Sequence, residues 1–113
     1  MCSKSKLNEI TEKVVQAAKH SLGDKLDKVI LYGSYARGDY NDESDIDIMI
    51  LADIRLEDRV PERNKIRVLL GYIELEHDVV LSLKVTDCNT FERFISVEPF
   101  YMNVLKDGVV LNA

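Results

Sequence analysis

The feature that most constrains this chain is an apolar run that ends in a Gly-Ser pair and is followed, ten residues later, by an Asp-x-Asp pattern inside a second apolar run. Lys28 to Tyr32 has the composition of a buried strand, which ends at Gly33. Asp45 to Leu51 predicts the second strand. Between them, the residues predict a helical turn, Ser34 to Arg37, and a polar loop, Gly38 to Ser44.

The Asp-x-Asp pattern and the Gly-Ser pair together indicate a chemistry. Side chains alternate between the two faces of a strand, so Asp45 and Asp47 are expected on one face, about 7 Å apart along the strand. Two carboxylates at that separation can converge on a hard cation. The Gly33-Ser34 turn offers main-chain N–H groups and a hydroxyl to phosphate oxygens. These residues predict metal-dependent chemistry on a nucleoside triphosphate.

The rest of the chain alternates helical and strand patterns and contains no repeat or linker. The pattern predicts a single α/β or α+β domain over residues 1–113, with about three core strands flanked by helices. The first half of the chain also predicts a helix over residues 5–22 that ends at Gly23 and a helix over 57–75. A third strand from His77 to Val85 is followed by a helix capped by Thr86 or Asp87. The C-terminal part predicts a helical turn from Pro99 to Leu105 that ends before Gly108, and a short terminal strand or tail from Val109 to Leu111.

A third carboxylate, Asp78, lies at the start of the predicted third strand. An ionised group in an apolar run is costly to bury without a partner. Strand alternation puts Asp78 on one face with Val80 and Ser82, so it can meet Asp45 and Asp47 if the third strand lies beside the second. Three such carboxylates repel one another without metal, whereas two metal ions about 3.5–4 Å apart would neutralise them. Oxygen ligands favour Mg²⁺.

The combined motif resembles the signature of a known family. Gly33-Ser34, ten intervening residues and Asp45-Ile46-Asp47 resemble the minimal nucleotidyltransferases of the DNA polymerase β superfamily, and the match includes Ala36-Arg37-Gly38 and the downstream Asp78. The resemblance spans roughly residues 29–82. It implies a polymerase-β-like fold and Mg²⁺-dependent transfer of a nucleoside monophosphate from a nucleoside triphosphate, with release of pyrophosphate.

The resemblance also implies roles for single residues. Ser34 and the Gly33 main chain would bind the triphosphate. Arg37 matches a family position and is grouped with these nucleotide-binding residues, where it would either contact phosphate or brace the loop. Asp45 and Asp47 would hold the metal ions. Asp78 would complete the metal site and help to deprotonate the acceptor hydroxyl.

The chain is too short to carry the second, helical domain with which aminoglycoside-modifying nucleotidyltransferases hold their acceptor. It resembles instead the stand-alone enzymes that pair with a HEPN-type partner in toxin–antitoxin modules, whose active members add AMP to a tyrosine of the HEPN toxin. This resemblance implies an antitoxin with ATP as substrate, two Mg²⁺ ions and a hetero-oligomeric assembly. Two alternatives stay open: a small-molecule nucleotidyltransferase with a borrowed acceptor pocket, and a non-catalytic antitoxin that neutralises its partner by binding.

Composition narrows the choice of partners. The net charge of −5 argues against a surface that coats nucleic acid, and there is no long apolar run of the kind that enters a membrane. Cys2 and Cys88 lie far apart and have no metal-ligand spacing, so reduced thiols and a cytoplasmic protein are expected. Two surfaces remain open to a partner: an arginine stripe at i, i+4 and i+8 from Arg59 to Arg67, and the aromatic C-terminal segment.

Overall fold

In the computed structural model, which describes residues 3–112, helices and strands alternate along the chain. The helices are α1 (Lys4–Leu22), α2 (Ser34–Arg37), α3 (Arg59–His77), α4 (Cys88–Phe94) and α5 (Pro99–Asp107). The strands are β1 (Leu26–Tyr32), β2 (Ile46–Ala52), β3 (Leu81–Asp87) and β4 (Val109–Val110). Short 3₁₀ turns, Gly23–Lys25 and Leu56–Asp58, precede β1 and α3. None of the helices within residues 3–112 is long and apolar enough to cross a membrane.

The first helix forms where its pattern predicts. The Ser3 hydroxyl caps α1 by accepting a hydrogen bond from the main-chain N–H of Lys6 at 3.1 Å. Gly23 ends the helix with φ of +55°, a conformation that glycine adopts without steric cost. One face of α1 is buried at three- and four-residue intervals, at Ile10, Thr11, Val14, Val15, Ala18 and Leu22.

The sheet is mixed, with strand order β3-β2-β1-β4. β1 is antiparallel to β2 and to β4, and β2 is parallel to β3. In this register Tyr32 of β1 lies opposite Asp47 of β2, and Ser82 of β3 lies on the other side of Asp47. The predicted α+β fold is confirmed, and the predicted terminal strand is the fourth strand of the sheet.

Two hydrophobic layers hold the sheet between helices. Strand residues such as Ile48 pack against α1 and α3 on one face, and residues such as Met49 pack against α4 and α5 on the other. By strand alternation, Asp47 belongs to the second face, where Tyr32 is also buried. The Asp-x-Asp pattern therefore points to the side of the sheet that α4 and α5 cover only in part.

The third strand differs from its prediction. β3 begins at Leu81 rather than His77, because α3 continues through His77. Asp78 is the C-cap of α3 and has a left-handed conformation, with φ of 53° and ψ of 52°. Aspartate enters this region more readily than most residues. The prediction that Asp78 lies within a strand, on one face with Val80 and Ser82, was wrong.

Candidate active site

The two carboxylates of the Asp-x-Asp pattern lie at the start of β2, beside the end of β1. Asp47 is the second residue of β2 and is half-buried, and Asp45 immediately precedes the strand and is exposed. Because Asp45 lies outside β2, strand periodicity does not by itself fix the direction of its side chain. Within residues 3–112, neither carboxylate takes part in a hydrogen bond or a salt bridge.

The surroundings of Asp47 disfavour its negative charge more than the nearby Arg37 favours it. Burial raises the pKa of the Asp47 carboxyl above its ordinary value, and the negative charge of Asp45 raises it further. The Arg37 guanidinium lowers the pKa of Asp47, but its contribution is the smallest of the three. Burial also raises the pKa of neighbouring Tyr32 to about 12, so its phenol is neutral at physiological pH. A cation between Asp45 and Asp47 would relieve their repulsion.

Gly33 brings the main chain directly against Asp47. Its φ is +74° and its ψ is −153°, a combination that other residues rarely adopt. A Cβ atom at this position would overlap Asp47 Oδ2 and lie 3.1 Å from Asp47 Cγ. Glycine is therefore required both by the backbone conformation and by the carboxylate, and the turn and the carboxylate form one unit.

The turn presents Ser34 and Arg37 beside this unit. Ser34 begins the single turn of α2, and its hydroxyl makes no hydrogen bond with any residue between 3 and 112. Arg37 ends the turn and forms an exposed ion pair with Asp39, Nε to Oδ2, at 3.2 Å. Gly38, with φ of +85°, ends the helical turn and starts the polar loop.

An open cleft of about 360 Å³ brings these groups together. Asp47 and the predicted nucleotide-binding residues Gly33, Ser34 and Arg37 line one side of the cleft. The remaining lining comes from β1 and from α5: Tyr32, Phe100, Asn103, Val104 and Asp107. Asn103 and Asp107 were missed at the sequence level. Their i, i+4 spacing is the one available signal, and it is equally typical of a solvated helix face.

Asp78 does not join this cleft. It lines a separate cavity of about 380 Å³ together with Asp45. In the part of the chain that the structure describes, Asp45, Asp47 and Asp78 do not form a group with ligand atoms within 4.8 Å of one another. Beside Asp47, the third strand carries Ser82. The structure thus brings Asp47 to the Gly-Ser turn and Asp45 to Asp78, and a metal-binding role for Asp78 stays a prediction.

A different cluster, formed by Glu9, Glu76 and His77, does have its potential metal-ligand atoms within 4.8 Å of one another. The Lys13 ammonium group lies among these side chains, because it bonds to Glu76 and lies 3.1 Å from His77 Nε2. One of the two glutamate charges of this cluster is therefore neutralised by a residue of the chain itself. Near the motif loop, Tyr35 and Tyr40 stack on each other with ring centroids 4.2 Å apart, which gives them a packing role.

Comparison with known proteins decides the family. A model described as nucleotidyltransferase domain matches residues 9–111. The chain belongs to this family. Within it, a relative from Methanocaldococcus jannaschii named "Putative protein adenylyltransferase MJ0604" is 37% identical over 97 residues, which cover 86% of this chain and 89% of the relative. A second relative of that organism, named as the same kind of protein (MJ0141), is 46% identical over 61 residues, which span 54% of this chain and 60% of the relative.

Solved structures agree with this nucleotidyltransferase domain assignment. A structure described as "a putative nucleotidyltransferase from Sulfolobus solfataricus" superposes with a TM-score of 0.59 and 26% identity, and the match covers 91% of this chain and 77% of that one. A toxin–antitoxin structure with AMP-PNP has a TM-score of 0.55 and 21% identity, with 89% and 71% of the two chains covered. At that identity the second likeness shows a shared fold.

Proposed function

We propose that the chain is a Mg²⁺-dependent enzyme that transfers AMP from ATP to a hydroxyl group of a partner protein. The partner we propose is a HEPN-type toxin, with a tyrosine as the acceptor and this chain as its antitoxin. The observation that carries the proposal is the cleft in which the Gly33-Ser34 turn, Arg37 and Asp47 meet. Relatives named as protein adenylyltransferases support the reaction, and the toxin–antitoxin neighbour with AMP-PNP supports the nucleotide and the class of partner.

The donor set fits Mg²⁺. Asp45 and Asp47 offer hard oxygen atoms, lack ion-pair partners within residues 3–112, and repel each other across the start of β2. These two residues would hold the metal, and we propose two ions, with Asp78 as a further carboxylate on the side of Asp45. Bound Mg²⁺ would neutralise phosphate charge and stabilise the negative charge that develops on the leaving pyrophosphate.

The other residues of the site would bind the phosphates and take up the acceptor proton. The Ser34 hydroxyl donates to a phosphate oxygen, and Arg37 adds positive charge at the same side of the cleft. The acceptor hydroxyl oxygen forms a bond to the α-phosphorus, the bond from that phosphorus to pyrophosphate breaks, and a carboxylate, for which Asp78 is the candidate, takes the hydroxyl proton. The proposed acceptor arrives on a second chain, which the open cleft leaves room to approach.

The proposal is tested by the intact mass of a cognate HEPN partner incubated with this protein, ATP and Mg²⁺. We expect a mass gain of one or more AMP units. Asp45→Asn should abolish the gain, whereas Asp53→Asn, the same charge change at the opposite end of β2, should preserve it. Transfer by Asp45→Asn at the wild-type rate would overturn the catalytic assignment.

A second variant tests phosphate binding apart from metal binding. Ser34→Ala removes one hydrogen bond to a charged oxygen, which is worth roughly 1.5–3 kcal/mol. We expect kcat/KM for ATP to fall about ten- to a hundredfold. An unchanged kcat/KM would show that the Gly-Ser turn is structural only.

An antitoxin that acts by binding alone is the second candidate, because the three predicted carboxylates do not converge. In that case wild type and Asp45→Asn would both neutralise the toxin in a tight complex, and neither would add mass to it. Absence of both binding and mass gain would favour the small-molecule nucleotidyltransferase.

A further inference from the structure

The outer edge of the sheet is formed by β3, whose only strand neighbour within residues 3–112 is β2. The carbonyl of Val80 accepts a hydrogen bond from the Ile46 N–H, so at this end of β3 the carbonyl of Val80 points toward β2. The next residue faces the other way. Leu81 donates its N–H to Glu74 Oε2 at 2.8 Å, and its carbonyl accepts from Arg67 Nη1 at 2.8 Å.

This alternation fixes the direction of the remaining main-chain groups of β3. In a strand paired in parallel on one side, residues at period two direct both N–H and C=O to the same side. Leu83 and Val85 therefore direct both groups outward, as Leu81 does. α3 supplies partners to Leu81 through Arg67 and Glu74, but Leu83 and Val85 have none among the described residues. Two donors and two acceptors are left unpaired on this edge.

A groove runs along this edge, with a volume of about 380 Å³. Four consecutive residues of β3 line it, of which Lys84 is exposed, whereas Leu83 and Val85 keep only 6% and 8% of their surface exposed because their side chains belong to the core. α3 forms one wall and the start of α5 forms the other, so that the lining residues are Arg59, Val60, Arg63, Leu83, Lys84, Val85, Thr86, Phe100 and Tyr101.

The groove is cationic although the protein carries a net charge of −5. Arg59 lies 3.8 Å from the buried Asp87 carboxylate and is thereby partly neutralised. Arg63 and Lys84 have no carboxylate partner within residues 3–112, and Lys84 Nζ lies 5.3 Å from the centre of the Phe100 ring. An unpaired strand edge flanked by unpaired positive charge has the properties of a site for an extended acidic peptide.

We propose that the edge of β3 binds an extended, acidic segment of the protein acceptor, which adds to the sheet as a fifth strand. The occupant is a partner rather than a second copy, because two copies paired through this edge would bring Arg63 and Lys84 of each close to those of the other. That the segment belongs to the acceptor rests on the proposed function.

The edge also leads toward the reaction site. Ser82, one residue before Leu83, lies beside Asp47, so an added strand at this level would be two strand spacings, about 10 Å, from the Asp47 backbone. Side chains of the added strand would stand roughly perpendicular to the sheet, so every second one would project on the same face as Asp47.

The test uses amide NMR of the whole protein, without ATP or Mg²⁺, and a probe peptide of alternating glutamate and valine with one central tyrosine. We expect saturable shifts and slowed hydrogen exchange at the Leu83 and Val85 amides. The double variant Arg63→Glu, Lys84→Glu should weaken binding at least tenfold. Lys65→Glu, which reverses a single charge on α3 outside the groove, should change the affinity less than twofold.

Two control peptides complete the test. One has N-methyl groups that block one hydrogen-bonding edge, and the other has lysine in place of glutamate; neither should bind. The proposal is overturned if the acidic peptide leaves β3 unperturbed, if the N-methylated peptide binds equally well, or if protection of Leu83 and Val85 rises with protein concentration alone. Because no nucleotide is present, peptide binding is independent of AMP transfer. Transfer to a HEPN partner without peptide binding would refute this proposal and leave the proposed function standing.

Discussion

At the scale of single residues, Asp47 carries an electrostatic cost in the folded chain. Its pKa is raised by burial and by Asp45, so folding disfavours its ionised form. This cost is absent below the ordinary pKa of 3.8, where the carboxyl is protonated in both states. It grows as the pH rises from that value to the raised pKa of the folded state, and it is fully present above that pKa. The residue is thus kept at the expense of stability, as binding residues often are.

Asp47→Asn should therefore stabilise the metal-free protein at neutral pH and have little effect under acid conditions. Denaturant titrations of wild type and Asp47→Asn, made between about pH 3 and about pH 7, measure the difference in their free energies of unfolding. Added Mg²⁺ should narrow the difference by stabilising wild type alone. Parallel stability curves over the whole pH range would contradict this account of Asp47.

Gly33 allows a second prediction at this scale. Gly33→Ala combines an unfavourable φ with the overlap between Cβ and Asp47 Oδ2, and we expect it to destabilise the fold by about 2–4 kcal/mol. Gly38→Ala is the matched control, because its φ is also positive but nothing lies within 4 Å of an added Cβ. It should cost about 1–2 kcal/mol. Equal losses of unfolding free energy in the two variants would show that the overlap with Asp47 adds nothing to the cost of a side chain at position 33.

At the scale of elements, the junction between β3 and α4 depends on one buried carboxylate. Asp87 caps α4 by accepting from the main-chain N–H and the hydroxyl of Thr90, both at 2.9 Å, and Arg59 lies nearby. Only 3% of Asp87 is exposed, so its bonds compete little with water. Ser3 caps α1 with a single bond at an exposed position.

The two caps should consequently differ in how much they stabilise the folded protein. Asp87→Ala is expected to lower the free energy of unfolding by about 1–2 kcal/mol, and Ser3→Ala by about 0.5–1 kcal/mol. Thermal or denaturant unfolding of the two variants measures the difference. A larger loss at Ser3 than at Asp87 would contradict the importance given to burial.

The same elements show what local sequence can predict. The stripe of α1, the stop at Gly23, the Gly33-Ser34 turn and the start of α4 at Asp87 are all local signals, and each was confirmed. The third strand was placed too early because Val79 and Val80 continue an apolar run, whereas the left-handed cap at Asp78 depends on how α3 ends against the sheet.

The residues of the candidate active site also fall into those that local sequence predicts and those that it does not. The residues of the turn and of β2 were predicted because they are close in sequence, and the cleft brings Gly33, Ser34 and Asp47 together. Which residue of β3 lies beside Asp47 depends on the register between two strands more than thirty residues apart, and that residue is Ser82. The contribution of Asn103 and Asp107 comes from still farther along the chain, through helix packing that no local pattern specifies.

At the scale of the whole molecule, the cleft joins distant parts of the chain. One wall belongs to the turn after β1 and the other to α5, which is followed at once by β4. β4 has two residues and is supported by three bonds from the tail to β1. Leu111 donates its N–H to the Val29 carbonyl at 2.7 Å, Asn112 Oδ1 accepts from the Val29 N–H at 2.9 Å, and Asn112 Nδ2 donates to the Asp27 carbonyl at 3.1 Å.

Because β4 is only two residues long, we expect the α5 wall to open locally without unfolding of the whole domain. β2 lies between two strands and its side chains are almost fully buried, whereas β4 is an exposed edge, so the Leu111 amide should exchange with deuterium through a local opening that β2 amides do not share. ATP with Mg²⁺ should slow exchange at Leu111 and leave the β2 amides unchanged. Equal protection of Leu111 and β2 would mean that the cleft opens only when the whole domain unfolds. With the expected result, the nucleotide would enter and leave through the part of the fold that melts first.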